Sequence, residues 1–304
     1  MRLAVTGATG FVGGAVARAA RERGHMVHAY GRRRVPESGD VTHWDIALGP
    51  LPDPPAVDAV VHAAAAVTDW GPTAPIRQTN VEGTRHVAAT FPGARLVHVS
   101  TASVYDPFVA TVHARESDGP GDRHLNAYAA SKAAAERVLA HRPDTVVLRP
   151  HAVYGPGDPT LLPRLREAVR GRTLLLPGDG STRHTLTGVD SLVEAALRAC
   201  SPDAPPGVYN VGDAEPLTLD ALVRELFAEL GEPVTARFVP VAAAWPVATA
   251  AERAARALRR PRPPRLTRYA VSQLGRERTL DLGAARTRLG LVPAPTSFAG
   301  AGSW

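Results

Sequence analysis

The first half of the chain alternates short apolar runs with longer stretches of helical periodicity. Arg2 to Thr6 is a brief apolar run, followed by glycine-rich sequence and by Phe11 to Arg23, whose apolar residues recur at helical spacing. Met26 to Tyr30, Val57 to His62, Arg95 to Ser100 and Thr145 to Leu148 read as further buried strands, and Ile76 to Thr90 and Asn126 to His141 as helices. This alternation is that of crossover units, in which parallel strands share one sheet with helices on both faces. It predicts an α/β fold, a doubly wound parallel sheet, over residues 1–150.

Beyond Pro150 the rhythm changes. His151 to Thr160, Leu176 to Ser181 and Ser201 to Gly207 are punctuated by Pro and Gly, with short helices expected at Leu161 to Arg170, Asp190 to Ala199 and Leu219 to Leu230. Residues 151–304 are expected to form a smaller C-terminal α/β region that mainly binds substrate over the sheet's carboxyl edge, with some segments returning to the core.

Composition narrows the function classes. With 44% hydrophobic and 21% charged residues the balance is that of a globular protein. There is no run of about 18 apolar residues and no small-residue cleavage site after the first apolar stretch, so a cytoplasmic protein without stable membrane insertion is expected. One cysteine, Cys200, excludes an internal disulfide and a multi-cysteine metal site. His62 ends a buried strand with no second ligand at metal spacing, so it reads as a core histidine and no metal is expected. The net charge of +6 raises nucleic acid as a partner. Apart from the stretch Arg253 to Arg268, however, the arginines are spread among Glu and Asp, and no nucleic-acid partner is expected.

Of the 35 basic side chains, 34 are arginine; the one lysine, Lys132, follows Tyr128 by four residues. Positions four apart share a helix face. A free phenol titrates near pH ~10, and a neighbouring ammonium lowers that value, which makes the phenol a usable acid or base. Arginine does not replace a compact ammonium in that role. A third group must hold the substrate oxygen, and Ser100, Thr101, Ser103 and Tyr105 follow a strand at the edge where ligands bind. Tyr105 reads as a packing residue, and Ser103 as the alternative hydroxyl to Thr101.

Gly7, Gly10 and Gly13, with Thr9, Phe11 and Val12 among them, lie between the first strand and the first helix. There glycines permit a tight turn and close approach of a pyrophosphate, and the helix start offers free N–H groups. A reader of a ribose 2′-hydroxyl would place an acid at the end of the second strand; this chain has Arg32, Arg33 and Arg34. The guanidinium fork suits a 2′-phosphate, so NADP(H) is expected in preference to NAD(H); the alternative is a solvated loop.

These patterns, with Asp45-Ile46, His62 to Ala65, Asn80 to Thr84, and Leu148 to Pro150 running into Val153 to Gly157, resemble the extended short-chain dehydrogenase/reductases, the NAD-dependent epimerase/dehydratase superfamily with its Rossmann fold. The resemblance covers nearly the whole chain in order. It implies Thr101, Tyr128 and Lys132 as catalytic residues. Asp45 and Ile46 would border adenine, Ala63, Ala64 and Ala65 would line the cofactor, and Pro150 and Val153 would flank the nicotinamide. Asn80 would support the sheet edge, with a purely structural amide as the alternative.

Dehydratases of this superfamily carry an acid pair where this chain has Ala102 and Ser103, and sugar-nucleotide epimerases carry Asn where it has Ala152. Trp70-Gly71, Val104 to Asp106, Leu148 to His151, Leu266 to Arg268 and Asp281 through Gly290 instead resemble the 3β-hydroxysteroid dehydrogenase-like and 2-alkyl-3-oxoalkanoate reductase branch. That likeness implies an NADP(H)-dependent oxidoreductase interconverting a ketone and a secondary alcohol on a largely hydrophobic small molecule. Trp70, Ser103, His151 and Arg183 are the candidate substrate residues, and Val239 to Leu258 is an amphipathic helix that either covers the substrate or simply packs. Two alternatives stand beside this reading: a sugar-nucleotide epimerase or reductase using the same triad, with Arg183 on the diphosphate, and a non-catalytic NADP(H) sensor. A homodimer is the candidate assembly.

Overall fold

A computed structural model describes residues 1–33 and 41–304. Seven strands build one sheet: β1 (Arg2–Thr6), β2 (Met26–Gly31), β3 (Val41–His43), β4 (Ala59–His62), β5 (Arg95–Val99), β6 (Thr145–Pro150) and β7 (Gly207–Val211). Every pairing is parallel, in the order β7-β6-β5-β4-β1-β2-β3, so the chain winds outward in both directions from β1. The register sets Thr6 beside His62 and His62 beside His98, which brings the carboxyl ends of β1, β4 and β5 to one level.

The central strands are apolar on both faces because helices cover both. Leu3 and Val5 of β1 pack with Val16 and Ala20 of the helix Phe11–Glu22 and with Leu192 and Val193 of the helix Val189–Ala199. Ala4, Val60 and Leu96 face the other way, toward Val87, Phe91 and Leu139. That opposite layer holds the helix Ala127–Leu139, started by Asn126, whose side chain accepts from the Ala129 N–H at 2.8 Å.

Several segments after Pro150 belong to this core. β7 is the last strand of the sheet, although the sequence shows only a Pro- and Gly-punctuated approach to it, and Val189–Ala199 packs against the first helix. Ala285, Leu289 and Leu291 join the same cluster. A second core gathers Leu162, Leu165, Leu174, Leu176, Leu222, Leu226 and Phe227 beyond the sheet's edge. It includes a parallel pair, Thr173–Pro177 with Thr235–Val239, too short and too broken by Pro and Gly to stand out as strands in the sequence. The helix Val241–Ala257 packs on the helix Arg268–Leu274 through Ala244, Ala248 and Val271.

Candidate functional site at the carboxyl edge of the sheet

The turn after β1 has room for backbone only. Gly7 has φ +73°, and a Cβ there would lie 2.7 Å from the Ala64 nitrogen; one on Gly13 would lie 2.3 Å from the Gly7 carbonyl oxygen. Gly10 precedes the helix Phe11–Glu22 in extended conformation and offers no side-chain cap, so the helix's first N–H groups are left for a ligand. This cradle fits the pyrophosphate of a dinucleotide. Thr9, Phe11 and Val12 stand on it, and Ala63 and Ala64 form its opposite wall just after β4, with Ala65 next in the chain.

Gly31 ends β2 against Thr9, whose methyl would lie 2.8 Å from an added Cβ. Arg32 and Arg33 follow directly and are exposed beside the cofactor loop; Arg34 lies outside the described residues. Asp45 makes a turn, its carboxylate accepting from the Ala47 N–H at 3.0 Å. Ile46 is buried against Gly83, where a Cβ would meet its Cδ1 at 2.7 Å.

A chain of hydrogen bonds crosses beneath this loop. The Thr84 hydroxyl donates to the Asn80 carbonyl at 2.7 Å and lies 3.0 Å from His62 Nε2, so that ring nitrogen carries the proton, and Nδ1 accepts from the Thr6 hydroxyl at 2.8 Å. Burial first, and Lys132 second, hold His62 neutral, its pKa down to about 3. Asn80 ties three segments together: its Oδ1 accepts from the Ala66 N–H at 2.7 Å, and its amide donates to the Ala66 carbonyl at 3.2 Å and to the Ser131 hydroxyl at 2.8 Å. Ser131 in turn donates to the Tyr128 carbonyl at 2.7 Å. The amide thus sets the height of the Ala127–Leu139 helix relative to the cofactor loop.

Tyr128 and Lys132 share a face of that helix. The Tyr128 ring is half-buried next to the Thr101 hydroxyl, and Thr101 stands just after β5, where its Oγ1 also accepts from the Ser103 N–H at 3.1 Å. Lys132 is buried, donates to the Val99 carbonyl, and has Nζ 3.3 Å from His98 Nε2. His98 is wholly buried; burial, then Lys132 and His62, keep it neutral, so its lone pair accepts from the ammonium. Burial draws Lys132 down to about 8, against the pull of Glu136 one turn later.

The phenol behaves otherwise than the sequence predicts. Burial and the nearby Tyr269 push the Tyr128 pKa well above its ordinary value, Thr101 opposes them, and the lysine charge is taken up by Val99 and His98. Tyr128 is therefore protonated at neutral pH, a proton donor by default.

Of the candidate substrate residues, Ser103 lies at the heart of the site, its Oγ accepting from Thr101 at 3.2 Å. His151 is buried next to Pro150, with Nδ1 donating to the Thr185 carbonyl at 2.8 Å and Nε2 3.3 Å from Gln273. Val153 begins a short strand paired with Thr187. Between them Ala152 has φ +46°, a left-handed conformation where Asn is commoner than Ala. Trp70 is half-buried, donates to the Arg260 carbonyl at 3.0 Å, and has the Arg256 guanidinium 5.3 Å from its ring. Arg183 is exposed and donates to the Pro216 carbonyl at 3.4 Å; among the described residues no contact joins it to the triad or the glycine loop.

Other residues of the site are absent from the sequence reading. Glu136 and Arg149 form a buried bidentate pair at 2.6 and 3.1 Å, to which Ser100 also donates. Arg149 reaches the Tyr105 hydroxyl at 3.1 Å, and Tyr105 donates to Asn210 at 2.7 Å, so this phenol is a structural link between β6 and β7. The signals were there: Glu136 follows Lys132 by four, and Arg149 is the one charge in an apolar strand, which demands a partner. Tyr269, which enters from the helix Arg268–Leu274, carried none.

Residues 3–212 match the NAD dependent epimerase/dehydratase family. The 2-alkyl-3-oxoalkanoate reductase of Stenotrophomonas maltophilia is 36% identical, covering 96% of this chain and 95% of that protein. A 4-hydroxy-2-methyl-3-oxo-4-farnesyl-3,4-dihydroquinoline-1-oxide ketoreductase of Stigmatella aurantiaca is 31% identical over 95% of this chain and 91% of its own length. Among solved structures, the UDP-glucuronic acid 4-epimerase of Bacillus cereus in complex with NAD shares the fold, with TM-score 0.69 at 21% identity over 100% of this chain and 96% of that one. The chain therefore belongs to the NAD dependent epimerase/dehydratase family, the extended short-chain dehydrogenase/reductases, and is an oxidoreductase of the branch that holds the 2-alkyl-3-oxoalkanoate reductases and 3β-hydroxysteroid dehydrogenases.

Proposed function

We propose that this oxidoreductase reduces a ketone on a largely hydrophobic small molecule, with NADP(H) preferred over NAD(H). The observation that carries the reading is the meeting of Thr101, a protonated Tyr128 and Lys132 beside the glycine cradle at one end of the sheet. Bound there, the nicotinamide supplies the hydride. Thr101 holds the carbonyl oxygen, and Tyr128 gives it a proton as the alcohol forms. Lys132, fixed by Val99 and His98, presents its charge to the cofactor's ribose. The joint presence of all three groups argues against a sensor that only binds.

Two features support an apolar substrate. Ala152, at φ +46°, has no side-chain amide to offer a sugar nucleotide, and Arg183 is turned to Pro216. Next to the helix that carries Tyr269, Trp245 packs with Val239, Val241 and Leu266 on Ala244 and Val271, its ring 6.1 Å from Phe108. The 2-alkyl-3-oxoalkanoate reductase and the farnesyl dihydroquinoline ketoreductase are named for substrates of this greasy kind. The 2′-phosphate preference rests on Arg32 and Arg33 beside Thr9, with no acid at the end of β2.

A homologous series of 3-oxo esters and cyclic ketones, assayed by NADPH absorbance, tests the reading. Efficiency should rise with each buried methylene by about 0.8 kcal/mol. NADPH should bind more tightly than NADH, and Arg32→Ala should shrink the difference by about 1.5 kcal/mol or more. Turnover of a nucleotide diphosphate-sugar with none of the ketones would overturn it, and equal cofactor affinities would reduce the arginines to a solvated loop.

A further inference from the structure

The helix Val241–Ala257 is apolar on both sides. Its inner face is buried, Ala244 and Ala248 against Val271 of the helix Arg268–Leu274. The outer face turns Ala243, Pro246, Val247, Ala250, Ala254 and Ala257 to solvent, and charge enters it only in the last two turns, at Arg253 and Arg256. A surface helix ordinarily carries its polar residues outward. Leu258, next in the chain, is a large exposed apolar side chain like Val247.

Charge gathers where the helix ends. From Arg253 to Arg276 the chain has no acid, and Glu252 is buried and taken by Arg256 and Arg268. Arg253, Arg259, Arg260, Arg262 and Arg265 are exposed and make no ion pair among the described residues. The chain turns at Arg259, whose φ is +47°, and the Arg260 N–H closes on the Ala255 carbonyl at 2.9 Å. Glycine takes such a left-handed position without strain. Here arginine holds it, so a charge stands where folding alone favours none.

We propose that the outer face of this helix and the arginine turn after it seat the protein on an anionic lipid surface, apolar side chains entering the headgroup layer and guanidinium groups meeting lipid phosphates. No helix among the described residues is long and apolar enough to cross a membrane, so the contact is peripheral. The pairing of an apolar stripe with unpaired arginines selects this partner. A nucleic acid would engage the arginines and leave the stripe in water. A second copy meeting the same surface across a two-fold axis brings no acid to the arginines, because Glu252 is the segment's one acid and is buried. The seat lies close to the site: the Arg260 carbonyl accepts from Trp70, and the inner face touches the helix that carries Tyr269. Docking is a property of this surface and stands apart from the reaction.

Sedimentation of the whole chain with vesicles tests the seat, using phosphatidylcholine alone and phosphatidylcholine with added phosphatidylglycerol. Wild type should pellet with the anionic vesicles and stay in solution with the neutral ones, and salt should release it. Each arginine near such a surface is worth about fivefold in affinity, so Arg259→Gln, Arg260→Gln and Arg262→Gln combined should weaken binding by about a hundredfold. Val247→Asp should weaken it by about tenfold, and both variants should keep their NADPH affinity. Equal binding to the two kinds of vesicle, binding to neither, or an arginine variant that binds as wild type does overturns the proposal. An unweakened Val247→Asp also overturns it, since bare charge attraction then suffices, as does a wild type that captures duplex DNA but no vesicle. A dimer that Val247→Asp dissolves would give the face to a second copy instead. If Val247→Asp loses NADPH, Leu258→Ser at the helix end decides by the same comparison.

Discussion

Two titrating side chains on one face of one helix dominate the residue scale. Tyr128 is held protonated by burial and by Tyr269, so replacing it with Phe removes the proton donor while leaving the ring's packing. Tyr128→Phe should lower kcat by about a hundredfold or more with NADPH affinity largely kept, measured by single-turnover kinetics and fluorescence titration; near-wild-type kcat would show that water or the substrate supplies the proton. Lys132 sits at about 8 because burial disfavours its charge. Below that pH the ammonium is present and above it the charge is lost, so the reductive kcat/KM should decline as pH rises through about 8. Lys132→Arg should not keep the activity, since a planar guanidinium does not replace the compact ammonium held by the Val99 carbonyl and His98. A profile flat from pH 7 to 9.5 would remove the charge of Lys132 from the mechanism.

At the scale of elements, turns and pairs place those residues. Gly13 is the tightest point of the cofactor turn, and a methyl group there collides with backbone, which cannot step aside as a side chain can. Gly13→Ala is therefore expected to reduce NADPH affinity by at least tenfold, about 1.4 kcal/mol, measured by titration of the folded variant. Beneath the helix Ala127–Leu139 the Glu136–Arg149 pair is buried at both ends, and cutting one partner leaves the other charge without compensation. Glu136→Ala should cost about 3–5 kcal/mol of stability by denaturant unfolding. A loss under 1 kcal/mol would mean that water reaches Arg149. Because Glu136 also sustains the Lys132 charge, the same variant should move the activity profile toward lower pH.

For the whole molecule, the core carries a pH dependence of its own. His62 and His184 are held neutral down to about 3, and His98 and His151 are also lowered, all four chiefly by burial. In the unfolded chain these rings take a proton near pH ~6.5, so between there and about pH 3 the unfolded state binds more protons than the folded one. Stability is complete above that window and falls as pH drops through it, by up to about 1.4 kcal/mol per pH unit for each ring. Calorimetry from pH 7.5 to 5 should show Tm falling steeply below about 6.5. An unchanged Tm would mean that protonated rings find partners inside the fold.

The sequence by itself determined the winding of the sheet, the cofactor turn and the Tyr128–Lys132 face. Each is a local matter: strand and helix periods, glycines where a Cβ has no room, and four-residue spacing on a helix. The tertiary structure alone decided the rest, because its cause lies between segments far apart in the chain. Gly207–Val211 is a strand of the main sheet only because β6 is there to pair with it. Arg149 is tolerable in a buried strand only because Glu136 and Tyr105 converge on it. The raised pKa of Tyr128 comes from burial and from Tyr269, brought to the site by a distant helix, and the place of Lys132 comes from His98 across the sheet. Desolvation and pairing depend on what surrounds a group, and spacing along the chain carries little of that information.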